Sequence, residues 1–168
     1  GFPWYNSITR QTFVSLPGIY CIKKDILSYR KILDTYITYF KNGFFPDEIH
    51  SGNSHLVSAD TSLWFICAVQ QYFKCYANPK VIWKNYGKYF KKILNKFEAG
   101  TRYNIAMQSN GLLWQGEHGN ALTWMDAIVN GKPVTGRVGF AVEVNALWYN
   151  AIVFALELAN ENGDSGFV

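Results

Sequence analysis

The residues with chemical capability concentrate in one stretch, Gly111-Leu-Leu-Trp-Gln-Gly-Glu-His-Gly-Asn-Ala-Leu-Thr-Trp-Met-Asp126. Its sixteen residues include three glycines, two tryptophans and two acids, Glu117 and Asp126. Glycine lets backbone approach a ligand closely, indole rings stack on flat ligand faces, and carboxylates accept hydroxyl donors or move protons. Such a stretch is either a ligand-facing loop or a surface loop with hydrophobic anchors. Arg10 is either a surface arginine or a planar fork of donors for a sugar hydroxyl or a carboxylate. Asp60 stands at the head of an apolar run, where it either caps a helix or contacts a ligand.

Metal chemistry has weak support. His50 and His55 lie near Asp47 and Glu48, but their spacing matches no metal motif. Cys67 and Cys75 are eight apart within one helical pattern, roughly 12 Å along the axis, too far to bridge. With Cys21 they read as small buried thiols of a reducing, cytoplasmic compartment. No cofactor and no metal are expected.

These residues must be positioned mainly by helices. Thr9 is placed to cap a short helix that Pro17-Gly18 ends. Residues 24–41 repeat Ile26, Leu27, Ile32, Leu33, Tyr36, Ile37 and Phe40 at helical spacing, opposite a polar side, and Asn42-Gly43 stops them. Residues 59–77 are apolar nearly all the way round, so this helix is expected to be buried on every face. Asn78-Pro79 starts a further helix that runs to Gly100. Ile82, Tyr86, Phe90, Ile93, Leu94 and Phe97 line one side of it, and six lysines lie largely elsewhere. That lysine face reads as solvated surface rather than a nucleic-acid stripe. Residues 101–116 alternate as two short strands around Ser109-Asn110-Gly111, and Asn130-Gly131-Lys132-Pro133 makes a turn. Residues 143–161 form a last helix.

The totals agree with one folded domain over residues 1–168. Apolar residues make up 49%, charged residues 17% and aromatics 17%, with a net charge of +4. This composition argues against disorder, and the charge is too small and spread out for a nucleic-acid surface. Most of the aromatic rings are expected in the core; Trp64 and Trp148, both in helices, belong there. No run of 18 or more residues is uninterruptedly apolar, so no membrane span is expected. The chain lacks an initiator methionine and reads as a piece of a longer protein.

One-faced helices alternating with an all-round apolar one suit two concentric helical layers. The expected fold is mainly all-α, a partial (α/α)6 toroid of about three helical hairpins with a small β-hairpin near 101–116. An irregular helical bundle is the plainer alternative.

Three blocks then carry a family resemblance: Gly1-Phe-Pro-Trp-Tyr-Asn-Ser-Ile-Thr-Arg-Gln-Thr-Phe-Val-Ser-Leu-Pro-Gly18, Ser58-Ala-Asp-Thr-Ser-Leu-Trp-Phe65, and Gly111 through Thr123-Trp-Met-Asp126 to Val142-Glu-Val-Asn-Ala-Leu-Trp-Tyr-Asn150. They resemble, in the same order, the amylo-α-1,6-glucosidase region of glycogen debranching enzymes, a glucoamylase-like (α/α)6 group. The resemblance implies an inverting glycoside hydrolase that removes the single α-1,6-linked glucose at a trimmed glucan branch. Two carboxyl groups serve such a reaction, one protonating the leaving oxygen and one activating water. Asp126 aligns with the general acid, and apolar neighbours such as Trp124 and Met125 would keep it protonated. The general base of the family lies beyond residue 168, so the isolated chain is expected to be inactive or nearly so.

Further implied sugar contacts are Trp4, Arg10, Gln11, Asp60, Trp114, Glu117, Trp124, Glu143 and Asn145. Relatives carry Arg-Asp where this chain has Arg10-Gln11, and the loss of charge bears on which sugar is gripped. The implied partner is an α-glucan, glycogen or a limit dextrin, with no nucleic acid and no membrane. A non-catalytic carbohydrate-binding relative is the alternative. An open half-ring would also expose apolar edges through which the chain self-associates.

Overall fold

The computed structural model describes residues 7–49, 58–76 and 78–167. They form a mainly helical fold with two small antiparallel strand pairs. The α-helices among them are α1 (Thr9–Leu16), α2 (Ile26–Ile37), α3 (Thr61–Tyr76), α4 (Pro79–Ala99) and α5 (Val142–Glu161). Strands β1 (Ala106–Met107) and β2 (Leu113–Trp114) pair as the hairpin expected around Ser109-Asn110-Gly111. Strands β3 (Ile128–Val129) and β4 (Lys132–Pro133) pair across Asn130-Gly131, both at positive φ (50° and 73°), as a two-residue turn of that composition requires.

Helix α3 is the hub, packing against α1, α2, α4 and α5. Its first three turns are enclosed as the all-round apolar pattern predicts, with Thr61, Ser62, Leu63, Phe65, Ile66, Ala68 and Val69 buried. The enclosure ends at Lys74 and Cys75, which are exposed. Aromatic rings tie the layers together: Phe13 of α1 meets Tyr36, Phe45 and Phe65, Phe65 reaches Phe90 of α4, and Phe90 reaches Phe154 of α5. Edge and tilted pairs of this kind add to the apolar burial itself. The aromatic excess is therefore chiefly core, and Trp148 is buried while Trp64 packs partly buried against it.

The outer helices are one-faced. Helix α4 buries Ile82, Tyr86, Phe90, Ile93, Leu94 and Phe97, while Lys80, Lys84, Lys88, Lys92 and Lys96 face solvent. Asn78 caps it by accepting from the Lys80 N–H, and Gly100 ends it at φ 88°. In α2 the buried stripe is Tyr29, Leu33 and Tyr36; Ile26 and Leu27, expected on the apolar face, are exposed. Among the described residues α5 is long and apolar enough to cross a membrane by composition, at mean hydropathy 1.2. One stripe of it (Val144, Trp148, Ala151, Phe154, Ala155, Leu158, Ala159) is instead packed inside the protein.

Two local expectations change. Pro17-Gly18 does not stop the first helix, because the chain continues through a π-helical turn over Pro17–Cys21. Proline withholds the N–H that the carbonyl four residues back would receive, and a wider turn is a common response. Thr9 does not cap α1. Ile8 holds that position, and the Thr9 hydroxyl donates to the Pro46 carbonyl while its N–H donates to Asp47 O. The start of α1 is thereby stitched to residues 46–48, with a further bridge between Ile8 and Glu48.

Candidate functional site

Arg10 is the junction of the candidate site. It projects from the first turn of α1, and its guanidinium is spent on three partners far apart in sequence. Nε donates to Asp60 Oδ1 (3.0 Å), Nη2 to Ser58 Oγ (2.7 Å) and Nη1 to Asp126 Oδ2 (3.0 Å). The Arg10 side chain is only 12% exposed and that of Asp60 1%, whereas Asp126 is 59% exposed. A buried carboxylate thus lies beneath the arginine and an open one above it.

Asp60 does not spend Oδ1 on a helix N–H as a cap would; that oxygen takes the arginine, and Oδ2 is buried with no protein partner. An unmatched buried acceptor is costly, and it is a natural receiver for a donor brought by a ligand. Burial pushes the Asp60 carboxyl up to about 6, against the opposing pull of Arg10. Asp47 braces the same corner, its Oδ1 accepting from the Ser58 N–H (3.3 Å) and the Thr61 hydroxyl (3.2 Å). Burial raises its pKa too, opposed by Ser58 and Arg10.

A second arginine holds the loop that carries Asp126. Arg137 grips Glu143 with both terminal nitrogens, Nη1 to Oε1 and Nη2 to Oε2, and Nη1 also reaches the Thr123 hydroxyl (3.2 Å). The Arg137 contact lowers the Glu143 pKa. The Arg137 carbonyl in turn accepts from Gln115 Nε2 (3.1 Å), whose Oε1 is a second buried acceptor without a protein partner. Gln115 and Gly139 exchange backbone hydrogen bonds, bringing the two ends of the loop together. Gly116, at φ 121°, permits this approach: a Cβ there would stand 2.8 Å from the Arg137 carbonyl oxygen.

The expected site residues fall into three groups. Arg10, Asp60 and Asp126 meet directly. Glu143 and Asn145 sit on the first turns of α5, but as loop anchors. Asn145 accepts from the Leu113 N–H (2.7 Å) and donates to the Leu113 carbonyl (3.1 Å), holding β2 in place. Trp124 is exposed, Trp114 packs edge-on against Phe140, and Glu117 lies exposed beside Asn120. The apolar enclosure expected around Asp126 is not formed here, since Trp124 beside it is itself exposed. Gln11 is exposed on α1. Trp4, His50 and His55 lie outside the described residues.

Ser58, Asp47, Thr123 and Arg137 are the site residues that sequence reasoning missed. Ser58 and Thr123 stood inside recognised blocks, but nothing in sequence marks Arg137 as the partner of Glu143. Among the described residues no group of three or more His, Cys, Asp or Glu side chains could hold a metal. A cavity of about 640 Å³ opens elsewhere, lined in part by Tyr39, Lys41, Phe44, Glu48 and Lys96, and includes none of Arg10, Asp60 or Asp126.

The family model described as amylo-alpha-1,6-glucosidase matches residues 1–166, nearly the whole chain. The chain belongs to this amylo-α-1,6-glucosidase family. Membership brings the three separated blocks under one description, and the Arg10 junction is where their side chains meet in space. A search of curated proteins gave no match. The family points in general to glycoside hydrolase chemistry on a glucan.

Proposed function

We propose that this chain forms part of a glycoside hydrolase that removes α-1,6-linked glucose at glucan branch points, with Asp126 as proton donor. The observation that carries this reading is the Arg10 guanidinium shared by buried Asp60 and open Asp126, in a chain of the amylo-α-1,6-glucosidase family. Asp60, with a free buried oxygen, and Arg10 would receive glucose hydroxyls. Asp126, on the solvent side, would face the glycosidic oxygen. Its Oδ2 is occupied by Arg10 before substrate arrives. A sugar hydroxyl taking that Nη1 donor would release the carboxyl to carry and deliver a proton, while Asp60 and Ser58 keep the guanidinium in place.

Inversion requires a second carboxylate set roughly 6.5–9.5 Å away to activate water. Asp60 and Glu143 are each held by an arginine and are poorly suited to that task. The family resemblance supports a base from outside the carboxylates gathered here, in which case the chain alone would turn over poorly. The two-layer helical packing around α3 supports a partial (α/α)6 toroid as the frame. Glycogen or a limit dextrin as substrate would place the protein in the cytoplasm.

The test is glucose release from a 1,6-branched limit dextrin by the full polypeptide that carries this region. Asp126→Asn should lower it by about 10²- to 10⁴-fold, the usual contribution of a positioned general acid. An unchanged rate overturns the assignment of Asp126. A second reading is a carbohydrate-binding relative without catalysis, favoured by the arginine contacts that occupy both Asp126 and Glu143. Binding of maltooligosaccharide by that polypeptide with no hydrolysis of any branched glucan would select it.

A further inference from the structure

Helices α1 and α3 lie side by side and run in the same direction. Arg10 and Asp60, at their N-terminal ends, form an ion pair. At the other ends, the π-helical turn that prolongs α1 closes on Cys21, and α3 closes on Cys75 and Tyr76. The Tyr76 hydroxyl is held over the carbonyls of Tyr20 (2.8 Å) and Cys21 (3.0 Å), which fixes the turn against the last residues of α3. That places Cys75, next to Tyr76, beside the turn that carries Cys21, close enough for Cys75 to raise the Cys21 pKa. Both are free thiols; Cys75 is exposed and Cys21 half-buried. Cys67, two turns earlier on α3, is separated from Cys75 by too great a rise to bridge to it.

We propose that Cys21 and Cys75 are a reversible disulfide site, closed by exchange with a low-molecular-weight disulfide such as oxidised glutathione. The exposed Cys75 thiolate attacks one sulfur of the small disulfide and releases one small thiolate. Cys21 then gives its proton to solvent, attacks Cys75 Sγ and displaces the second small thiol. Two protein thiols are oxidised to one cystine, and one small disulfide is reduced to two thiols. The order follows from the surroundings: burial, with the Cys75 contact adding to it, pushes the Cys21 thiol up to about 12, which suits the resolving and not the attacking role. Tyr76, next to Cys75, already holds the Cys21 carbonyl at 3.0 Å, so a bond of about 2.05 Å would join two segments that are packed together. The cross-link would fasten the C-terminal ends of the two helices whose N-terminal ends hold Arg10 on Asp60. It does not depend on the glycosidase reading.

The folded protein is incubated with oxidised glutathione, its free thiols are counted and its peptides are mapped. The expected result is a fall from three free thiols to one, and a Cys21–Cys75 linked peptide that dithiothreitol abolishes. The thermal midpoint should rise by several degrees on oxidation and fall back on reduction. Cys67→Ser should leave the linkage intact. Cys21→Ser should instead trap glutathione on Cys75. A stable glutathione adduct on wild-type Cys75, a bridge that uses Cys67, or a dimer joined through Cys75 would each overturn the proposal. The linkage is read on the wild-type chain, so a variant that misfolds does not remove the test.

Discussion

Arg10 Nη1 and Asp126 Oδ2 stand 3.0 Å apart although 116 positions separate the two residues in sequence. The same guanidinium holds Asp60 beneath it, so one side chain couples the start of α1, the start of α3 and the end of the glycine-rich loop. Fork geometry makes this feasible; a lysine ammonium is a point charge and cannot present the same three directed bonds.

Removal of Arg10 should accordingly be expensive. Arg10→Ala leaves Asp60 buried without its cation, and breaking a buried pair in this way costs about 3 kcal/mol or more. Arg10→Lys should recover only part of the loss. Urea unfolding of the three proteins checks this; equal midpoints for arginine and lysine would show that the fork geometry is irrelevant.

Asp60 should give stability a pH dependence of unusual sign for an aspartate in an ion pair. Its folded carboxyl titrates at about 6, above the ~3.9 of an unfolded aspartate. Between those values the folded state binds the extra proton. The stabilising share from this group is therefore complete below pH ~4 and is lost as pH rises through ~6. A gap of about two pH units corresponds to about 3 kcal/mol. Asp60→Asn abolishes this titration. The unfolding free energy of wild type minus that of the variant should fall steadily from pH 4 to pH 6, and a flat difference would contradict the assignment.

The loop beyond β2 rests on one close backbone approach. Gly116→Ala would set a Cβ 2.8 Å from both the Arg137 carbonyl oxygen and the Val138 Cα, at φ 121°. Backbone cannot yield as a side chain does, and a loss of about 2 kcal/mol or more is expected. Gly119→Ala is the control, since it shares a positive φ but has open space, and it should cost only about 1 kcal/mol. Thermal melts of the two variants decide it; similar losses would mean that conformation, not the contact with Arg137, sets the cost.

The sequence was most legible where one physical rule acted alone. The all-round apolar run became α3, enclosed over its first three turns, Asn78-Pro79 starts α4, and Ser109-Asn110-Gly111 turns the first hairpin. It misled where tertiary contacts overrode a local signal. Thr9 spends its hydroxyl on Pro46 instead of capping, and Pro17 widens a helix rather than ending it. In α2, Leu27 has helical spacing yet faces solvent, because Tyr29 takes the inward direction and donates to the Ala68 carbonyl. For the site, the resemblance brought Arg10, Asp60 and Asp126 forward, but no periodicity predicts that one guanidinium joins them. Arg137 and the packing of the Cys21 turn against the end of α3 were invisible for the same reason: both are created by packing between distant segments.

The segment between residues 112 and 149 leaves large apolar side chains in solvent, among them Trp124, Ile128, Val129, Val134, Phe140 and Val142. Val142 at 83% exposure and Val134 at 62% are far outside a packed environment. Apolar surface gathered in this way drives association when nothing covers it. The chain should therefore self-associate with rising concentration, through the face that carries the β3–β4 hairpin. Val129→Ser combined with Val134→Ser removes two aliphatic groups from that face without touching a buried residue. Burial of two valines is worth a few kcal/mol, so the double variant should weaken association about tenfold or more. Light scattering across a concentration series measures it. A wild-type chain that stays strictly monomeric at high concentration would show that this face does not associate, and an unchanged double variant would move the contact to another surface.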